Sequence, residues 1–154
     1  GVSSAASDVY KRQDTKYEPG TVKVVAYNEK GDAVAEKEIH TAGKPDHIEL
    51  VADRNEIKAD GKDLSFVTVR VVDKEGNLCP DAQHLIKYAV KGAGTYRAGA
   101  NGDPTSLELF HVPQMKVFNG MMTAVVQSTD KPGEITLTAT GKGLKSGRLV
   151  LISK

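Results

Sequence analysis

Val67-Thr68-Val69-Arg70-Val71 alternates β-branched apolar residues with polar ones at a period of two. On a pleated strand that spacing turns Val67, Val69 and Val71 to one face and Thr68 and Arg70 to the other, which predicts a strand over 64–72 with one buried side. Ile135-Thr136-Leu137-Thr138-Ala139 repeats the pattern and turns Ile135, Leu137 and Ala139 inward. Ile86, Tyr88 and Val90 follow the same logic. No helical stripe competes with it.

Outward from these segments, strands are expected at 47–52, 84–91, 94–98, 106–111, 120–128, 133–140 and 147–152. The intervening Asp73-Lys74-Glu75-Gly76-Asn77, Asn101-Gly102-Asp103-Pro104 and Lys131-Pro132-Gly133 carry turn chemistry. Short strands at such regular spacing specify an all-β protein, and 46–154 suits one immunoglobulin-like β-sandwich of roughly 100 residues.

Upstream, Thr21 to Asn28 and Ala33 to His40 flank Glu29-Lys30-Gly31-Asp32 and read as a β-hairpin. A lone hairpin is marginal in water, so 14–43 reads as the remnant of an upstream β domain. Thr41-Ala42-Gly43-Lys44-Pro45 is the expected linker, with the second domain starting near Asp46. Asp8-Val9-Tyr10-Lys11-Arg12-Gln13 is similar to an in-frame translation of a transposon mosaic-end adapter used in sequencing libraries, so 1–13 reads as a non-native or disordered tail.

The 154 residues hold one domain or one domain plus a fragment, too few for a barrel enzyme of about 250 residues. A net charge of +1 supplies no electrostatic footprint for nucleic acid or anionic lipid, and no apolar stretch approaches a membrane span. Cys79, before Pro80 at the end of a turn, reads as a structural or surface thiol without redox function.

Candidate chemistry is sparse. Gly92-Ala93-Gly94 and Gly141-Lys142-Gly143 lack the pattern of a phosphate loop, and Ser146 has Leu144 where a nucleophile elbow wants Gly. His40, His47, His84 and His111 are isolated in sequence, and Asp73 to Asn77 has only part of a calcium loop. Asp60, Asp63 and Asp103 read as loop carboxylates. No catalytic, cofactor-binding or metal residue is therefore nominated, and no cofactor is expected. Without Trp, and with Tyr88 pointing inward, the chain is poorly equipped to bind carbohydrate. The alternation does place Phe66, Met121 and Val125 on outer faces, and these are the candidate domain-docking residues.

Longer strings carry a resemblance. Tyr17-Glu18-Pro19-Gly20-Thr21-Val22-Lys23-Val24-Val25-Ala26-Tyr27 with Thr41 to Pro45 resembles the end of the penultimate domain of bacterial β-galactosidases in glycoside hydrolase family 2. Ile57 to Val69, Asn101-Gly102-Asp103-Pro104-Thr105-Ser106 and Phe118-Asn119-Gly120 resemble their C-terminal immunoglobulin-like domain. The resemblance implies a non-catalytic accessory domain of a parent that hydrolyses terminal β-galactosides or related β-glycosides by retention. Its catalytic glutamates would lie on an upstream barrel, and its partners would be the catalytic and β-sandwich domains of the same chain. It also implies a periplasmic or cell-surface location. Ala59-Asp60-Gly61 with the following Val/Thr strand is similar to the repeats of invasin and intimin adhesins too, which leaves an adhesin or stalk module as the alternative and an independent carbohydrate-binding domain as a third reading.

Overall fold

The computed structural model describes residues 16–154, so the reading of 1–13 lies outside the described residues. The described residues divide into two compact units between Thr41 and Ala42.

In the first unit, β1 (Thr21–Tyr27) pairs antiparallel with β2 (Ala33–His40). The Asn28 side-chain oxygen accepts the Lys30 and Asp32 N–H groups and shapes the turn. Register puts Val22, Val24 and Ile39 on one face of the ribbon and Lys23, Glu36 and Glu38 on the other. Nothing within the hairpin covers Val22, Val24 or Ile39, each more than 60% exposed.

The second unit is a two-layer sandwich. Its strands are β3 (His47–Ala52), β4 (Glu56–Ile57), β5 (Leu64–Val72), β6 (Leu85–Gly92), β7 (Gly94–Ala100), β8 (Gln114–Lys116), β9 (Met121–Ser128), β10 (Gly133–Gly141) and β11 (Gly147–Ser153). One sheet has the order β3-β5-β9-β7 and the other β4-β11-β10-β6-β8. The first matches the ABED sheet of an immunoglobulin fold, and β11-β10-β6 matches its CFG sheet. The short β4 and β8 are added at the two edges of the second.

Alternation builds the core as the sequence implies. Val67, Val69 and Val71 from β5, Met122, Ala124 and Val126 from β9, Ile135, Leu137 and Ala139 from β10, and Ile86 and Tyr88 from β6 are all buried. Val90 is partly buried against them. The chain passes from one sheet to the other at Gly92, where φ is 93° and an added Cβ would lie 2.0 Å from the Glu134 carbonyl oxygen. Only glycine fits so close an approach. Asn119-Gly120 forms a two-residue hairpin turn with both φ angles positive (50° and 72°), closed by paired bonds between Phe118 and Met121.

The expected strand at 106–111 is not formed. Residues 106–111 are a loop, because Asp103 and Ser106 draw the local N–H groups into side-chain bonds rather than a ladder. The edge strand beside β6 is β8 instead, too short at three residues to show a period. Of the two readings of Cys79, structural or surface thiol, the structure shows the structural one, 4% exposed within the core cluster. The second unit also reaches back before Asp46: Ala42 packs on its core and the Gly43 N–H bonds to Asp73.

Candidate functional site

The outer face of the four-stranded sheet carries the three candidate docking residues among polar and charged neighbours. Phe66 lies directly opposite Val125, and the next outward positions on those strands pair Thr68 with Thr123 and Arg70 with Met121. On the edge strand, Val51 lies opposite Thr68 and Glu49 opposite Arg70. Phe66, Met121 and Val125 thus share one face, with Val51 beside them. Val51, Phe66 and Met121 are 50%, 46% and 36% exposed, which leaves much of their apolar surface in water. The Glu49–Arg70 ion pair, 2.7 Å long, bounds the patch on one side.

The opposite sheet also has a mixed outer face. Thr136, Thr138, Thr140, Lys87, Lys91 and Arg148 alternate with the core residues of β10, β6 and β11 and fill its outer face. Val150 and Ile152 on β11 and Leu85 on β6, 39%, 41% and 38% exposed, interrupt that polar surface. Both outer faces are therefore mixed: on the four-stranded sheet Thr68 and Thr123 lie between the Phe66–Val125 pair and Met121, and Arg70 lies opposite Met121.

The acidic residues hold structure. Asp60 accepts the N–H groups of Lys62 and Asp63, and these bonds keep its carboxyl below the usual range. Asp63 is lowered by the Lys58 N–H and then by Arg54, and Asp103 by the Thr105 hydroxyl and N–H. Asp46 is lowered chiefly by the Lys145 ammonium, 2.9 Å away. Asp73 is buried and accepts bonds from Gly43, Glu75 and Asn77, which draw its pKa down to about 2. A glycosidic general acid needs the opposite shift, upward, to stay protonated near neutrality. These carboxylates are instead permanent acceptors for loop backbone.

The aromatic residues divide similarly. Tyr88 and Tyr96 stack with ring centroids 5.6 Å apart between the sheets, so neither offers a face to a sugar. His47 Nδ1 lies 3.1 Å from Asp46, and no group of three His, Cys, Asp or Glu side chains is placed to hold a metal among the described residues. The Asp73 hub was not foreseen in sequence. Its signal is an Asp at the start of a turn containing Gly76, but the distant Gly43 donor leaves no mark in that local pattern.

Comparison with known proteins follows the same lines. The family described as Glycoside hydrolase family 2 C-terminal domain 5 matches residues 48–150. The beta-galactosidase BoGH2A of Bacteroides ovatus is 52% identical over 134 residues, which cover 87% of this chain and 16% of that protein. A solved glycosyl hydrolase family 2 member from Bacteroides cellulosilyticus superimposes with a TM-score of 0.83 at 35% identity, over 91% of this chain and 18% of its own. The chain thus spans less than a fifth of these relatives. The D00-D0 domain of intimin, at 17% identity and a TM-score of 0.51 over 89% of this chain and 66% of its own, shares the fold alone.

Proposed function

This chain belongs to the glycoside hydrolase family 2 C-terminal domain 5 family, and from that premise we propose that it serves as the non-catalytic accessory domain of a longer retaining glycosidase acting on terminal β-galactosides or related β-glycosides. The observation that carries the reading is the likeness to the Bacteroides ovatus beta-galactosidase across most of the chain. The burial and downward-shifted carboxylates support a supporting role over a catalytic one, because a retaining glycosidase needs two carboxyl groups about 5–5.5 Å apart in a cleft, one of them raised in pKa. Beyond its shared fold with intimin, nothing in the described residues favours the adhesin reading.

In this reading the outer face that carries Phe66, Met121 and Val125 packs against another domain of the longer chain, and the hairpin β1-β2 completes a β-sandwich domain that precedes the second unit. The parent acts in the periplasm or at the cell surface.

The test is a pair of assays on nitrophenyl β-galactoside. The 154-residue chain should give no turnover above a mock purification, and the full-length product of the same gene should hydrolyse the substrate. Turnover by the short chain, or a full-length chain without glycosidase activity on a panel of β-glycosides, would overturn the proposal. Fractionation of cells expressing the native gene checks the location.

A further inference from the structure

Between β7 and β8 the chain presents Leu107, Leu109 and Phe110 to solvent at 95%, 61% and 62% exposure. The charged residue among them turns the other way: the Glu108 carboxylate accepts the Lys116 N–H on both oxygens at 3.2 Å and lies beside the Ser106 hydroxyl. Solvation alone would favour the reverse, with Glu108 in water and the leucines tucked in. The inversion is held by further bonds. Asp103 accepts the Thr105 N–H and hydroxyl at 2.8 and 2.7 Å, and the Asn101 side chain donates to the Lys116 carbonyl at 3.0 Å. At the far end the Phe110 carbonyl accepts the Gly99 N–H at 2.8 Å and the Tyr96 hydroxyl at 3.3 Å. A loop tied down at both ends presents its apolar tip with little entropy left to lose on docking.

We propose that Leu107, Leu109 and Phe110 form a preorganised apolar plug that seats in a recess of another domain of the same longer chain. The proposal rests on the reading of this chain as part of a larger one. Two observations select that occupant. The relatives are far longer than this chain, with more than four fifths of each outside the match, so most of the surface available to the plug belongs to the rest of the polypeptide. The patch is also small. Three side chains of this kind offer roughly 500 Å² at most, short of the roughly 800 Å² per partner that a stable association of separate molecules buries. A covalently linked partner, at millimolar effective concentration, needs far less.

Hydrogen exchange tests the assignment on the full-length chain and on the 154-residue chain in parallel. Amides of 105–112 should exchange at least about tenfold more slowly in the full-length chain, and the variant Leu107→Ser/Leu109→Ser/Phe110→Ser should abolish that difference. Leu107→Ser alone, at a side chain too exposed to matter for folding, should remove part of it. The thermal midpoint of the 154-residue chain should stay unchanged in both variants, which separates lost docking from lost folding. Equal exchange in the two chains would overturn the proposal. So would a concentration-dependent dimer of the short chain, or its binding to phosphatidylcholine/phosphatidylglycerol vesicles, if the substitutions abolished either. An inactive full-length enzyme bears on the proposed function only, because exchange reads the docking whatever the chain hydrolyses.

Discussion

The Asp73 carboxylate accepts the backbone N–H of Gly43 at 2.7 Å, joining two residues thirty positions apart. The same carboxylate takes the Glu75 and Asn77 N–H groups, and so ties the entry of the second unit to the turn that follows β5. A residue read as ordinary turn chemistry is thereby a fastening point for the start of the domain.

Protonating Asp73 should loosen that point. Its pKa falls to about 2, below the ordinary carboxyl near 3.9, because the charged form holds the donors. A group depressed on folding contributes fully above its unfolded pKa and loses that contribution as pH falls through the folded one. The thermal midpoint should therefore decline between about pH 5 and pH 2, and Asp73→Asn should flatten that decline while lowering the midpoint at pH 7 by about 5 °C. Differential scanning calorimetry across this range reads both effects. An equal acid slope in wild type and Asp73→Asn would refute the assignment.

The sequence reached the sandwich because its central strands bury one face each, and a period of two is then forced on residues such as Val67 to Val71 and Ile135 to Ala139. It reached Phe66, Met121 and Val125 as outward positions by the same rule, although their sharing of one face depends on register between strands fifty residues apart. The misreading at 106–111 has the same origin. Leu107-Glu108-Leu109 alternates like a strand, yet the alternation there records Glu108 turning back to the Lys116 N–H and not a ladder. The choice between a structural and a surface thiol at Cys79 rests on burial beside a turn, which leaves no periodic mark.

Cys79 should be silent toward thiol reagents in the folded chain. Burial, with the nearby Asp73 charge, pushes its thiol up, so little thiolate forms near neutrality. Its Sγ faces the Gly43 and Asn77 carbonyls at 3.7 and 3.8 Å. Ellman's reagent should react only after unfolding in urea. Cys79→Ser should cost about 1–2 kcal/mol by placing a hydroxyl in an apolar cluster. Fast labelling of the native chain would contradict this placement.

Gly120 should tolerate no side chain. With φ at 72° and an added Cβ 2.2 Å from the Cys79 carbonyl oxygen, alanine there meets backbone that cannot yield cheaply. Gly120→Ala should destabilise by about 2 kcal/mol or more, whereas Gly143→Ala, at a similar φ but with open space around it, should cost about 1 kcal/mol. Urea titrations of the two variants give the comparison.

The hairpin should exchange its amides quickly in the 154-residue chain. Two strands bury little apolar area between them, and Val22, Val24 and Ile39 remain uncovered. Amides of Thr21 to His40 should label orders of magnitude faster than those of Val67 to Val71. Comparable protection in the two segments would show that the hairpin has stability of its own.

The outer face of the four-stranded sheet yields the last expectation. Phe66 and Val125 sit directly opposite one another, and Met121 lies on the same face beside the Glu49–Arg70 pair. Because these side chains alternate with the buried Val67 and Met122, replacing them removes nothing from the core. Phe66→Ser with Met121→Ser should therefore leave the melting temperature of the short chain within a few degrees of wild type, and should raise its solubility by removing exposed apolar area. In a full-length chain the same pair should loosen the C-terminal region, since each Å² of apolar contact withdrawn there forfeits roughly 25 cal/mol. Limited proteolysis should then cut the Thr41–Pro45 segment faster while turnover at saturating substrate stays unchanged. Unaltered solubility together with unaltered cleavage would show that the face docks nothing. Global unfolding of the short chain would contradict the observed strand register itself.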